Sequence, residues 1–410
     1  MKKIELLLVS TLCSNNKYNE VRANRTKQSL DPARRLFDAL VTGLVNENVN
    51  VTCISALPFS KNNTNLHEIK REEERYGAKY IYLGFRISTI NRLHDLYVNT
   101  KKEVQNWINQ TEGKRRFVIC DSLVLMCSLP ARKLAQKNGI PVVAFVTDYP
   151  SLATSIKGKS GYVKSFLSNI FDKTADNDLK KYDGYILVAK GLSELIGKKC
   201  DNFEIIEDIV SIPDETNVCK RREDNKKIIV YGGALCERFG INKLVDAIQL
   251  IKDEKLELHL YGSGESEQYI LDAQKKDKRV YYGGTVSFED MIKIEKNSDL
   301  LINPRPSDET FSKYSFPSKT LSYILSGTPV LSTRIPGIPK EYEDLLFWFD
   351  DESTESIAEK IIEILNLSPK ILREKGAQAY AYVCENKNAN AQAKKVIKYL
   401  SQIKGKYNGK

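Results

Sequence analysis

The chain has 410 residues, 41% apolar and 28% charged, which is an ordinary globular composition and too much length for one core, so two domains of about 200 residues each are expected. The net charge of +10 is uneven: residues 1–210 hold 32 Lys+Arg against 23 Asp+Glu, and residues 211–410 hold 31 against 30, so the surplus belongs to the first half. Eight scattered cysteines without C-x-x-C spacing argue against a zinc site or a disulfide framework, and three histidines without H-E-x-x-H spacing argue against a metal-dependent hydrolase.

The basic first half fits an anionic membrane surface, an anionic acceptor or a nucleic acid, with a plain solvated surface as the alternative. No RNA- or DNA-binding motif is present, so nucleic acid is set aside. No apolar run approaches the roughly 20 residues needed to span a bilayer. The N-terminal run at 4–10 carries Glu5 and has no small-residue cleavage site, so it reads as a first buried strand rather than a signal peptide. Reduced cysteines fit a cytoplasmic protein.

In chain order, the strand at 4–10 leads through a polar loop at 13–30, with Arg22, Arg25 and Lys27, to a helix at 32–45. Strands follow at 49–56 and 78–83, after a charged stretch at 66–76. A helix at 93–107, a strand at 116–121, a helix at 123–137 and a strand at 141–146 continue the alternation. The last two strands end in Asp121 and Asp148. Parallel sheets bind ligands at the carboxyl ends of their strands, so both carboxylates are candidates, and Asp148 stands out because Tyr149-Pro150 ends regular structure after it. Its plainer role is a turn cap. Residues 161–171 place Tyr162, Phe166 and Ile170 on one helical face, read here as core-facing, with a membrane interface as the alternative. Strands at 185–188 and 203–206 close a first doubly wound domain, 1–210.

The alternation restarts after 209–214 and a charged loop at 219–227. Strands at 228–231, 256–261, 280–282 and 300–303 run into Gly232-Gly233, Gly262-Ser263-Gly264, Gly283-Gly284 and a Pro- and Ser-rich loop containing Arg305. Glycine at a strand's end lets the backbone approach a ligand or a packed element. Helices are expected at 244–251, 357–365, 372–382 and 389–403. The second domain is thus 211–388, and residues 389–410 form a terminal helix expected to return to the first domain.

The stretch organising the whole is 303–339. Pro317 or Ser318 opens an amphipathic helix through Leu321, Ile324 and Leu325, and Gly327 with Pro329 stops it. Free amides at its start, with Lys319 beside them, suit a phosphate oxyanion, although a plain capped helix has the same pattern. Upstream, Gly232-Gly233 precedes Arg238, Gly240 and Lys243, a turn that can bring amides and positive charge to a diphosphate.

Taken in order, Tyr231-Gly232-Gly233-Ala234-Leu235 with Arg238 and Gly240, Tyr261-Gly262-Ser263-Gly264, Gly283-Gly284-Thr285-Val286, and Phe316-Pro317-Ser318-Lys319 through Ser326-Gly327-Thr328-Pro329-Val330 resemble the retaining GT-B glycosyltransferases of the family 4 type, in a polysaccharide-biosynthesis branch. The resemblance runs the length of the chain, though the first half matches in outline only. It implies an α/β protein of two Rossmann-like doubly wound domains facing a cleft, the second holding a nucleotide-sugar. It also implies transfer of the sugar, from a UDP-linked donor, to a glycan or lipid-linked acceptor with retention and without a cofactor or metal, in the cytoplasm or on the inner face of the plasma membrane.

Carried over by position, Gly232, Gly233, Arg238 and Lys243 match the glycine and basic loop around the donor diphosphate, with Gly262 and Gly264 beside it. Gly284, Thr285 and Val286 match the edge that holds the nucleobase. Pro317, Ser318 and Lys319 match the helix start over the β-phosphate, Arg305 is a further phosphate or sugar contact, and Asp148 lies where the first domain offers an active-site Asp or His. The family's two glutamates, eight positions apart, are Tyr314 and Ser322 here, which leaves the ribose contact to a hydroxyl. A sugar-nucleotide epimerase and a non-catalytic nucleotide-binding subunit are the competing expectations. Few histidines argue against the first, and the missing glutamates favour the second.

Overall fold

The computed structural model describes residues 3–14, 17, 32–57, 71–86, 88–155, 162–197, 202–212 and 226–403, so most of the loops at 13–30 and 219–227 lie outside the described residues. Residues up to 211 and from 388 onward form one compact unit, and residues 212–387 form the other. Among the described residues no helix is long and apolar enough to cross a membrane.

The first unit is built on an eight-stranded sheet: β1 (Ile4–Ser10), β2 (Asn50–Ser55), β3 (Arg71–Arg75), β4 (Ala78–Tyr82), β5 (Arg115–Asp121), β6 (Val142–Val146), β7 (Gly184–Leu187) and β8 (Phe203–Ile205), in the order β3-β4-β2-β1-β5-β6-β7-β8. Every residue of β1 and β6 is buried, as a parallel sheet covered on both faces requires. Phe37, from the helix Pro32–Asn46, packs edge-on against Phe145 with centroids 5.1 Å apart.

Strand β3, sequence REEER, falls in the stretch the sequence marked only as charged. It pairs antiparallel with β4 at the edge of the sheet, where Tyr82 Oη donates to Glu73. Edge strands favour charge because it discourages pairing with another chain, and that same charge hides the strand from a hydrophobic pattern. Of the face expected at 162, 166 and 170, only Ile170 is among the described side chains. It is exposed, as is Phe171, while Ala175, Asp178 and Leu179 are the buried positions of that helix.

The helix Ala389–Gln402 packs on Pro32–Asn46 within the first unit. A Cβ at Gly43 would strike the carbonyl of Ala389, so the two backbones meet with nothing between them. Tyr399 Oη accepts from the Tyr185 amide at 2.8 Å and donates to the Asn202 carbonyl at 2.7 Å, tying the helix to the outer strands.

The second unit holds a six-stranded, all-parallel sheet: β9 (Lys227–Ala234), β10 (Leu256–Ser263), β11 (Val280–Gly284), β12 (Leu300–Asn303), β13 (Val330–Ser332) and β14 (Phe347–Trp348), in the order β11-β10-β9-β12-β13-β14. The order reverses between β9 and β12, which opens a crevice at their carboxyl ends. Its core joins Ile229, Leu258 and Leu300 of the strands to Leu244 and Ile248 of the helix Ile241–Leu250, and to Ile357 and Ile361 of the helix Thr354–Leu365.

Two helices here, Glu267–Lys276 and Phe288–Lys296, are additions to the expected elements, and they bury only Ile270 and Ala273 in the first and Glu295 in the second. The second starts on Ser287, whose Oγ accepts from the Asp290 amide at 3.1 Å.

Candidate functional site

The site grows from the point where β9 and β12 part. Tyr231, near the end of β9, donates its hydroxyl to the Ala234 carbonyl at 2.9 Å and accepts from Lys319 Nζ at 2.9 Å. Lys319 opens the helix Lys319–Leu325, and one turn on, the buried Tyr323 holds the next residue of β9. The Gly232 amide donates to its Oη at 2.9 Å, and that hydroxyl donates to the Gly232 carbonyl at 3.3 Å. Gly233 then takes φ +151°, and a Cβ there would occupy the space of Lys319 Nζ. Gly233 therefore makes room for a lysine of this chain, and Gly232 for the side chain of Met291.

Gly262 and Gly264 are pressed against the chain itself, their absent Cβ atoms facing the carbonyls of Gly233 and Leu235. Gly284 (φ +66°) instead borders open space, and Thr285 and Val286 follow in an accessible turn.

Arg305 comes from the turn after β12 and is 9% exposed. Its Nε donates to Ser312 Oγ at 3.0 Å and its Nη2 to Ser315 Oγ at 2.6 Å, while its guanidinium lies 4.1 Å from the ring centre of Phe311. Arg238, exposed on the turn Glu237–Phe239, lies over Phe239 and Phe311, at 5.1 and 5.6 Å. Those two rings meet edge-to-face, centroids 5.6 Å apart, and so form a platform for both guanidinium groups.

No carboxylate among the described residues stands within ion-pair distance of Arg238, Arg305 or Lys319. The electrostatic effect is direct. Burial, with Arg305 next in weight, pushes the Lys319 ammonium down to about 7, against smaller upward pulls from Cys236 and Glu295. Burial likewise lowers Arg305 to about 10, and Arg238 adds to the fall. Glu295, buried on the helix Phe288–Lys296, is pushed up to about 7 by burial, with Lys319 drawing it back. Three cations held together without counter-ions make a receptor for a polyanion.

Several sequence candidates behave differently from expectation. Ser318 occupies the cap position, but its side chain caps nothing. Its backbone is already helical (φ −52°, ψ −24°), the first turn closes from Thr320 N to Pro317 O at 2.8 Å, and Pro317 is buried beneath it. Ser322 donates its hydroxyl to the Lys319 carbonyl at 2.9 Å, which leaves only its oxygen lone pairs for a ligand. Lys243 is exposed and points its ammonium at the Glu352 carbonyl, 3.4 Å away. In the first unit, Asp121 is buried and caps the Leu123 amide at 2.9 Å, whereas Asp148 is exposed just beyond β6.

Tyr323 and Glu295 escaped the sequence reading, and Tyr231 entered it only as part of a motif, with no role. The tyrosines follow strand and helix periodicity as core residues do, and nothing local marks their hydroxyls as polar struts. A cavity lined by Lys227, Asp253, Leu256, Ile362 and Asn366 sits at the amino ends of β9 and β10, the wrong end of a parallel sheet for a ligand.

Residues 226–367 match the model of the family described as glycosyl transferases group 1. That segment has the pattern of a group 1 glycosyltransferase domain. The chain is 22% identical over 371 residues to the putative colanic acid biosynthesis glycosyl transferase WcaI of Escherichia coli, a match covering 81% of this chain and 88% of that one. It is 25% identical over 259 residues to an uncharacterised glycosyltransferase of Methanocaldococcus jannaschii, covering 58% of this chain and 64% of the archaeal protein's length. Among solved structures, Anabaena HepE in complex with UDP-glucose superimposes with a TM-score of 0.60 at 13% identity, over 97% of this chain and all of the other. The two parallel-sheet units are those of the GT-B fold.

Proposed function

We propose that this glycosyltransferase moves a hexosyl group from a UDP-linked donor to a glycan or lipid-linked saccharide, with retention, in the synthesis of a cell-surface polysaccharide. The observation that carries the reading is the unpaired cation cluster Arg238, Arg305 and Lys319, at the carboxyl ends of β9 and β12. The UDP-glucose named for the Anabaena protein and the colanic acid named for the Escherichia coli protein support the donor and acceptor classes.

The chemistry asked of the site is electrostatic. As the bond between the anomeric carbon and the β-phosphate oxygen breaks, negative charge gathers on the diphosphate, and the three cations stabilise it where it develops. The acceptor oxygen bonds to the anomeric carbon on the face the diphosphate leaves, and its proton passes to the departing phosphate oxygen. Gly284, Thr285 and Val286 offer backbone to the nucleobase, and Ser322 an acceptor oxygen to the ribose. Asp148 is proposed to orient the acceptor hydroxyl, and the basic first half to favour an anionic membrane surface at the cytoplasmic face.

A thermal-shift series with UDP-, GDP- and ADP-sugars tests donor binding, because a ligand held only by the native state raises its apparent stability. UDP-sugars are expected to give the largest rise; no rise with any donor removes the reading. Incubating the bound donor without acceptor, and finding the sugar isomerised, would replace transfer by epimerisation.

A further inference from the structure

Lys319 is the one cation of the cluster whose charge can be lost near neutral pH, since a guanidinium keeps its proton in proteins. Its surroundings favour that loss. Nζ fills the space left by the missing side chain of Gly233 and donates to Tyr231 Oη at 2.9 Å, a hydroxyl already committed as a donor to Ala234. Facing it are Tyr231 from β9, Cys236 from the turn after β9, Arg305 from the turn after β12 and Glu295 from the helix Phe288–Lys296, while Tyr323 lies on its own helix. Glu295 is the only acidic group among these, and it stands beyond ion-pair distance.

We propose that Lys319 takes a proton from solvent as a donor diphosphate enters, and returns it when the nucleoside diphosphate leaves. This rests on reading the cation cluster as a diphosphate site. Without a donor the ammonium has a guanidinium for a neighbour and no counter-ion among the described residues, and it sits near half-protonation at pH 7. The diphosphate supplies the missing negative charge and moves the amine back towards its ordinary basicity. Binding and protonation are then reciprocal: above about pH 7 the affinity falls by up to about tenfold per pH unit, because a proton must be taken up with the ligand.

The test is calorimetric titration with UDP-glucose, or with GDP- or ADP-glucose if only those bind. A nucleotide-sugar is the right probe because its diphosphate diester has no group titrating near neutrality. Heats are compared in buffer pairs that differ in ionisation enthalpy, HEPES and Tris at pH 8 and MES and Bis-Tris at pH 6. At pH 8 the wild-type protein is expected to take up close to one proton per ligand, and at pH 6 almost none. Uptake at pH 8 should persist in Glu295→Gln and vanish in Lys319→Arg. Equal heats in both buffers at pH 8, or undiminished uptake in Lys319→Arg, would overturn the proposal while leaving the diphosphate site intact. Should Lys319→Arg not bind, the pH 6 to pH 8 contrast and Glu295→Gln still decide, since loss of uptake in the latter would make the glutamate the carrier. Binding of no nucleotide-sugar would end both readings.

Discussion

Arg132 of the first unit and Arg305 of the second are both buried arginines, and they show two uses of one side chain. Arg132 is locked from all sides: Nε donates to Asp178 at 3.2 Å, Nη2 pairs with the same carboxylate, and Nη1 donates to Gln136 at 2.7 Å. Burial works against its charge, yet the hydrogen bond and charge of Asp178 raise its basicity above the ordinary value. Arg305 has two serine hydroxyls and an aromatic ring instead, a second guanidinium nearby, and a lowered basicity. A cation paired with a carboxylate belongs to the architecture. One left with neutral donors and like charges is waiting for an anion from outside.

The largest expected effect breaks the architectural half of this contrast. Asp178→Ala strands Arg132 in the interior and should destabilise the first unit by about 3–5 kcal/mol, read as a lowered denaturant midpoint. Unchanged stability would mean that the pair is not holding that unit.

Next comes Lys319→Met, expected to lower donor turnover on the order of 100-fold, about 3 kcal/mol of lost charge stabilisation. Because it also removes an uncompensated cation, the empty protein should melt a few degrees higher at pH 7. The sign is that of a half-buried lysine whose basicity is depressed: its cost to stability is fully present below about pH 7 and fades as pH rises towards the unfolded value. A lowered melting point together with unchanged turnover would put Lys319 with Arg132 instead.

Gly233→Ala sharpens the comparison within the site. The added methyl must displace Nζ, and the backbone is in a region few side chains adopt, so donor affinity should weaken about tenfold. Wild-type affinity in that variant would show that the lysine has room to spare. The smallest effect is expected from Arg238→Ala. Its exposed charge is screened by solvent, so a fall of only a few-fold in kcat, with KM little changed, is the predicted pattern. A collapse of kcat would promote it to the rank of Lys319.

Much of this was legible in the chain. The alternation of buried strands and helices, and the glycines ending β9, β10 and β11, gave two doubly wound sheets because hydrophobic period and turn chemistry are local signals. Lys319 drew attention for a similar reason, standing at the start of a helix that apolar spacing and Gly327 mark. Less visible was what gives Lys319 its character. Tyr231 and Glu295 come from different elements, and only the fold brings them to one ammonium, while Tyr323 braces Gly232 beside it. The short helix start misled in detail: Ser318 has the composition of a cap, but the turn had already begun at Pro317. The edge strand β3 was hidden because its charges answer to solvent and to unpaired backbone rather than to a core.

The seam between Gly43 and Ala389 bears on how this polypeptide matures. The helix Pro32–Asn46 is completed by the helix Ala389–Gln402, with the entire second sheet synthesised between them. On the ribosome, the earlier half therefore waits with that groove uncovered while residues 212–387 emerge, and it closes only when the later helix arrives. Shortening the chain before residue 389 strips the first unit of a structural wall while sparing every residue of the cation cluster.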